Sequence, residues 1–186
     1  MPLSTGDVRF TVTTNMPTPV EVMAGLDLKG QAPQETHIGR SQRITLTGPT
    51  TSFAVSTAMN ERKSNPLPDG DYIAEVSFYP PWGAKNGNPD ARQITHEVHG
   101  SDEIVLKMTG RSIASVKRHH RLQKWVMENL YAGVAWNAGE MERRLGSSVV
   151  SSPSGGFVKD HYFANADMTV VVNHYLKEVM TWRFGR

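Results

Sequence analysis

The sequence predicts an α+β fold that is mainly β, with an N-terminal antiparallel β-sandwich of about seven strands followed by a helical C-terminal extension. Three observations predict this. Residues 8–108 alternate apolar and polar side chains, 16 Gly and 11 Pro punctuate the chain, and a helical period begins after Gly110. We therefore expect a sandwich domain over 1–110 and a helical extension over 111–186, with a flexible linker near 147–156.

The predicted strands share a period of two and a common kind of boundary. Each run ends at Gly, Pro, Asn or Asp, which supply turn dihedrals or withhold ladder hydrogen bonds. No stretch of helical period separates the runs, which disfavours parallel βαβ units and favours a sandwich. The runs cover residues 8–12, 20–28, 43–46, 51–57, 71–79, 93–98 and 103–108.

One turn sharpens the fold prediction. Asp69-Gly70-Asp71-Tyr72 leads directly into an alternating strand, and it resembles the D-x-x-Y start of the late strand in immunoglobulin-like modules. Its G-x-Y portion is also similar to a turn of transthyretin-like sandwiches. The resemblance is one of fold and covers about residues 8–108. It implies that the Tyr72 hydroxyl bonds back to the turn and, since Ala74 replaces the usual cysteine, that the sandwich has no disulfide.

An amphipathic helix is predicted after Gly110, with Ser112 as its N-cap, Gly146 as its stop and a kink or break near Gly133 or Gly139. Its apolar stripe has to be covered by the sandwich, by the C-terminal segment or by a second copy of the chain. The stripe consists of Ile113, Val116, Leu122, Val126, Leu130, Val134, Ala138, Met141 and Leu145.

Residues 157–186 carry two competing patterns. The β-branched run Met168–Val172 is typical of a strand. Asp167, however, is a suitable cap for a helix that would bring Val171, Tyr175 and Val179 onto one face. We predict a helix over Asp167–Thr181.

Catalytic and metal motifs are missing from the sequence. The absence of cysteine excludes disulfides, thiolate metal sites and thiol nucleophiles. His96 and His99 are three residues apart in a predicted strand and would face opposite ways, while His119 and His120 are adjacent on a helix. No serine stands in a nucleophile-elbow context. The sequence thus predicts no catalytic residue, no metal and no cofactor.

A ligand patch is predicted where an aromatic strand end enters a polar loop. Tyr79 and Trp82 stand beside stiff prolines and would give rigid contact area, with Asn86 and Asn88 as polar partners. The alternative is that Trp82 folds back and plugs the open end of the sandwich.

A second candidate surface is basic. The chain has 20 basic and 18 acidic residues overall, but residues 107–124 hold six cations and no acid. Such a run either neutralises the phosphates of nucleic acid or anionic lipid or forms a solvated helix face. The cations are Lys107, Arg111, Lys117, Arg118, Arg121 and Lys124.

The leading functional expectation is a non-enzymatic protein-interaction or ligand-binding module that associates with a protein partner or with itself through its C-terminal helices. Binding of nucleic acid or anionic lipid by the basic run is the alternative, and a hydrolase built from loops is the second. The sequence shows no signal peptide and no membrane-spanning run, which favours a cytoplasmic location. A periplasmic or secreted location is expected if a leader has been removed.

Overall fold

The structure, a computed structural model, describes residues 6–58, 66–107, 109–153 and 155–186, which contain ten strands, three α-helices and one 3-10 helix. The chain divides into two units, Met1–Ile113 and Ala114–Arg186. In the described residues no helix is long and apolar enough to cross a membrane.

The N-terminal unit contains two antiparallel sheets. In the smaller one, β1 (Asp7–Thr13) pairs with β4 (Thr50–Ser56). The larger contains β2 (Val20–Leu28), β3 (Gly39–Leu46), β5 (Gly70–Phe78) and β6 (Val98–Leu106), in the order β3-β2-β5-β6. A single turn of helix, α1 (Pro80–Gly83), and a short 3-10 helix (Pro89–Gln93) connect β5 to β6.

The two sheets share an apolar core, because their alternation places one face of each inward. In β2 every second residue from Val20 to Leu28 is buried. Val12 of β1 and Phe53 of β4 pack against the core cluster that contains Val20, Val22 and Phe78 of the larger sheet. The smaller sheet therefore lies face to face with part of the larger one, as in a sandwich.

Six strands replace the seven that the sequence predicts. The predicted runs 93–98 and 103–108 are wrong, because Val98–Leu106 forms one continuous strand paired with β5 from Phe78 to Gly70. The segment Gly100-Ser101-Asp102 has the composition of a turn. It lies in an edge strand, where exposed turn-forming residues cost little.

The C-terminal unit combines two helices with a four-stranded antiparallel sheet. Helix α2 (Ile113–Asn129) and helix α3 (Ala138–Leu145) precede all of its strands. The strands are β7 (Ser148–Ser151), β8 (Val158–Phe163), β9 (Met168–Asn173) and β10 (Glu178–Phe184), and they lie in the order β10-β9-β8-β7. The predicted helical extension is therefore wrong from residue 148 onward.

The predicted helix over Asp167–Thr181 is a β-hairpin formed by β9 and β10. Asp167 does not cap a helix: its φ of 47° places it in the left-handed region, in the turn before β9. Lys177 has a φ of 54° in the turn before β10. Two such turns and the β-branched residues between them outweigh the helical spacing of the apolar side chains.

The apolar stripe of the predicted helix is divided between α2 and α3, and the break includes Gly133 with a φ of 90°. Val126 and Leu130 from the first half share a core cluster with Met141 and Leu145 from the second. Strand β9 contributes Met168, Val170 and Val172 to the same cluster. The sheet of this unit thus covers much of the stripe, which removes the premise for expecting a second copy there.

Candidate binding groove

Strand β1 has one edge without a strand partner among the described residues. On the other edge the Thr14 N–H donates to Pro49 O at 2.8 Å, and the Thr57 N–H donates to Gly6 O at 3.3 Å. Even-numbered residues therefore direct their backbone groups toward β4. Because this direction alternates along a strand, Thr11 and Thr13 present their N–H and C=O groups at the free edge.

A groove of about 470 Å³ lies between this free edge and the inner faces of β5 and β6. Six consecutive residues of β1 line it, as expected where a strand contributes its backbone edge as well as one row of side chains. The groove exists because two strands cover only part of a four-stranded sheet. Its lining is Val8, Arg9, Phe10, Thr11, Val12, Thr13, Ala74, Val76, Gly100, Ser101, Asp102 and Ile104.

Small side chains form the middle of the groove floor. Ala74 lies opposite Asp102, and Val76 opposite Gly100, in the β5–β6 pairing. A Cβ added to Gly100 would meet no atom within 4 Å. On the wall, Phe10 stacks on Phe53 with ring centroids 5.3 Å apart. The floor is therefore open to large side chains of an occupant.

One carboxylate faces this floor. Asp102 alternates with Gly100 and Ile104 on the inner face of β6, and it is exposed. Its Oδ1 accepts a hydrogen bond of 2.8 Å from the Glu103 N–H. The groove thus combines apolar walls, free backbone groups and one negative charge. Those are the elements that orient a ligand in a mostly apolar site.

The sequence did not identify this groove. The sequence pattern predicts a turn at Gly100 and Asp102, because they interrupt the apolar alternation of the neighbouring strands. The two residues interrupt the inward-facing row of β6, and this interruption is the sequence feature that could have indicated the groove. It was not decisive, since β1 and β6 are far apart in the chain and their proximity is a property of the fold.

The predicted aromatic patch is brought together in part. Tyr79 and Trp82 are half-buried, with ring centroids 5.7 Å apart. The Arg43 guanidinium carbon lies 4.5 Å from the centre of the Trp82 ring, and the His99 ring lies edge-on 6.1 Å from Tyr79. One face of the indole is therefore engaged by a cation of the same unit.

The two asparagines of the predicted patch differ. Asn86 is exposed. Asn88 instead anchors its loop: its Nδ2 donates to Thr18 O at 3.0 Å, its backbone N–H donates to Pro19 O at 2.7 Å, and its Oδ1 accepts from the Asp90 N–H at 2.9 Å. These bonds give Asn88 a structural role.

The predicted polyanion residues are divided between the two units. Lys107 is exposed in the N-terminal unit, where Arg111 Nη1 donates to Pro66 O at 3.0 Å and so holds a loop. The other four lie on α2, where Lys124 Nζ is 3.8 Å from Glu128 Oε1. Those four are Lys117, Arg118, Arg121 and Lys124.

A histidine pair lies in the C-terminal unit and was not predicted. His161 is buried, and its Nε2 lies 2.8 Å from Nε2 of His174 with the ring planes only 8° apart. Its Nδ1 is 3.3 Å from Ser148 Oγ. The pKa of His161 is lowered to about 4, chiefly by burial and also by His174 and Lys159, while the carboxylate of Asp160 opposes the shift.

Nε2 of His161 and Nε2 of His174 lie at the distance of an N–H···N hydrogen bond, in which one ring donates and the other accepts. Among the residues that the structure describes, no three His, Cys, Asp or Glu side chains form a group able to hold a metal ion. A base with so low a pKa also lacks the strength for general-base chemistry near neutral pH. We therefore take the groove, and not this pair, as the candidate functional site.

No protein-family model, no curated protein and no solved structure matches this chain.

Proposed function

We propose that the chain is a protein-interaction module that binds an extended peptide segment by adding it as a strand to the free edge of β1. The observation that carries the proposal is the groove, in which this free edge lies beside the open inner faces of β5 and β6. Strand addition uses main-chain hydrogen bonds for affinity and pockets for alternate side chains for selectivity. The groove offers both.

The dimensions suit a single strand. Seven residues of β1 span about 23 Å at the usual rise of 3.3 Å per residue. Two of them, Thr11 and Thr13, supply backbone groups on the free side, as their alternation with the β4-bonded residues implies. The side chains of an added strand would alternate between the groove floor and solvent.

Geometry disfavours a second copy of β1 as the occupant. Two identical strands that pair antiparallel are related by a twofold axis perpendicular to their sheet. The β3-β2-β5-β6 sheets of the two copies would then lie on the same side of the joined β1 strands and occupy the same space. The groove therefore fits a segment that carries no sheet of its own, such as an extended tail or linker of another protein.

The test starts with a displayed library of linear 12-residue peptides selected against the full chain. Affinity of the selected peptides is then measured by fluorescence anisotropy for the wild type and for Gly100→Leu, which fills the floor where a Cβ has free space. Val105→Leu is the matched control, because Val105 is 51% exposed on the outer face of the same strand.

We expect Gly100→Leu to weaken binding at least tenfold and Val105→Leu to leave it unchanged. Circular dichroism and the melting temperature establish that both variants fold. A selection that yields no binding peptide, or peptides whose affinity is the same for the Gly100→Leu variant, overturns the proposal.

A further inference from the structure

We infer that the groove selects a strand with a large apolar side chain at one position and Lys or Arg two positions away, because Gly100 and Asp102 lie two residues apart on the same floor. This inference rests on the proposed strand addition. It specifies the chemistry of the partner: a basic, apolar, extended segment of another protein.

The spacing follows from strand geometry. Residues i and i+2 of a strand face the same side and are separated by about 6.6 Å. Gly100 and Asp102 have this relation on β6, and Val76 and Ala74 repeat it on β5. Successive inward side chains of a strand lying over the floor therefore have the same separation as Gly100 and Asp102. One such side chain can fill the space above Gly100 while the next meets the Asp102 carboxylate.

The apolar position is defined by what surrounds Gly100. No atom lies within 4 Å of a Cβ built there, and its neighbour across the pairing is the half-buried Val76. Phe10, whose ring is fixed by stacking on Phe53, forms the wall. Burying a large side chain in this space removes apolar surface of both partners from water, which favours Phe, Leu or Met over a small residue.

The basic position is defined by Asp102. The other charged residue that lines the groove, Arg9, belongs to the exposed outer row of β1, and the neighbouring acid Glu103 is paired with Lys29 at 2.6 Å on the outer face of the larger sheet. A strand covering the groove would withdraw the Asp102 carboxylate from water. That costs free energy unless a cation accompanies it, so an acidic residue in the same position is excluded more strongly than a neutral one.

The experiment uses one selected peptide in three synthetic forms, with Lys, norleucine or Glu at the position two residues from its large apolar side chain. Affinities for the full chain are measured for the wild type and for Asp102→Asn and Asp102→Lys. Asp71→Lys is the matched control, because it makes the same change of charge at an exposed position on the outer face of β5.

The wild type should bind the Lys peptide at least tenfold more tightly than the Glu peptide, with a preference that falls as salt increases. Asp102→Asn should remove most of the preference, Asp102→Lys should reverse it, and Asp71→Lys should preserve it. If the wild type binds the three peptides equally and Gly100→Leu still blocks them, the predicted preference for a cation is wrong. Strand addition itself is then retained. Failure of every peptide to bind overturns strand addition itself.

Discussion

The Tyr72 hydroxyl donates a 2.8 Å hydrogen bond to the carbonyl oxygen of Pro68, four residues earlier. The resemblance to immunoglobulin-like modules implied such a bond back to the turn, and the structure confirms it. Tyr72 is fully buried, and burial raises the pKa of its phenol, with Asp69 adding to the effect. The bond thus joins the turn before β5 to the centre of the core.

Removing this hydroxyl should weaken the N-terminal unit. Tyr72→Phe leaves the Pro68 carbonyl without its buried donor, so we expect the free energy of unfolding to fall by about 1–2 kcal/mol. Urea unfolding followed by fluorescence measures the loss. Tyr175→Phe, at a side chain 73% exposed, is the control and should cost nothing measurable. Equal stabilities for the two variants would contradict the role given to the bond.

Proline substitutions test which backbone groups of β1 are free. Thr11→Pro removes an N–H at the free edge and should cost little beyond a weak contact with Ser52, since an edge strand tolerates proline there. Val12→Pro removes a bond to β4 and leaves its partner unsatisfied, which should cost about 1–3 kcal/mol. Val12→Ala corrects for the lost side chain. If Thr11→Pro proves as destabilising as Val12→Pro, the assigned edge is wrong. Thr11→Pro should also weaken the binding of selected peptides.

Acid should destabilise the C-terminal unit through His161. Its pKa is about 4 in the folded chain and 6.5 when unperturbed, so between these values the unfolded state binds more protons. The stabilisation is therefore present above pH 6.5 and is lost as the pH falls toward 4, by at most about 3 kcal/mol. Thermal unfolding between pH 7 and 4.5 measures the slope. His161→Gln should flatten it, whereas His96→Gln, at an exposed residue, should not.

The ion pair between β8 and β10 joins a buried carboxylate to a half-exposed guanidinium. The stability lost on breaking it should therefore come mainly from the carboxylate. Arg183 Nη2 lies 2.5 Å from Oδ2 of Asp160, whose side chain is only 7% exposed, whereas that of Arg183 is 46% exposed. Arg183→Met leaves a buried carboxylate unpaired and should cost about 2 kcal/mol, reduced from the fully buried value by solvent screening. Arg121→Met on α2 is the control. If Asp160→Asn restores the loss caused by Arg183→Met, the unpaired charge is its cause.

Local patterns were sufficient for most of the N-terminal unit. Alternation placed β2 and β5 close to their observed bounds, because one face of each strand is buried. Alternation does not predict the edge strand β6. Its inner row contains Gly100 and Asp102, so the pattern there is typical of a turn. In the C-terminal unit, Asp167 and Lys177 adopt left-handed conformations that no helical spacing reveals.

The groove could not be predicted from local sequence patterns for a different reason. Its wall comes from β1 and its floor from β5 and β6, and no local feature of either segment specifies the other. The histidine pair has the same origin, since His161 on β8 meets His174 in the turn after β9. The contact between the Tyr79 and Trp82 rings, by contrast, is local, since the two residues are three apart in the chain.

An unpaired strand edge is also a template on which unfolded or nascent chains can assemble into aggregates. The inward-facing carboxylate of Asp102 opposes this, because an apolar strand without a cation would strip water from the charge as it settled over the floor. Under the proposed strand addition, the carboxylate that selects a basic partner also disfavours such assembly. We therefore expect Asp102→Ala to lower the concentration at which the chain begins to aggregate.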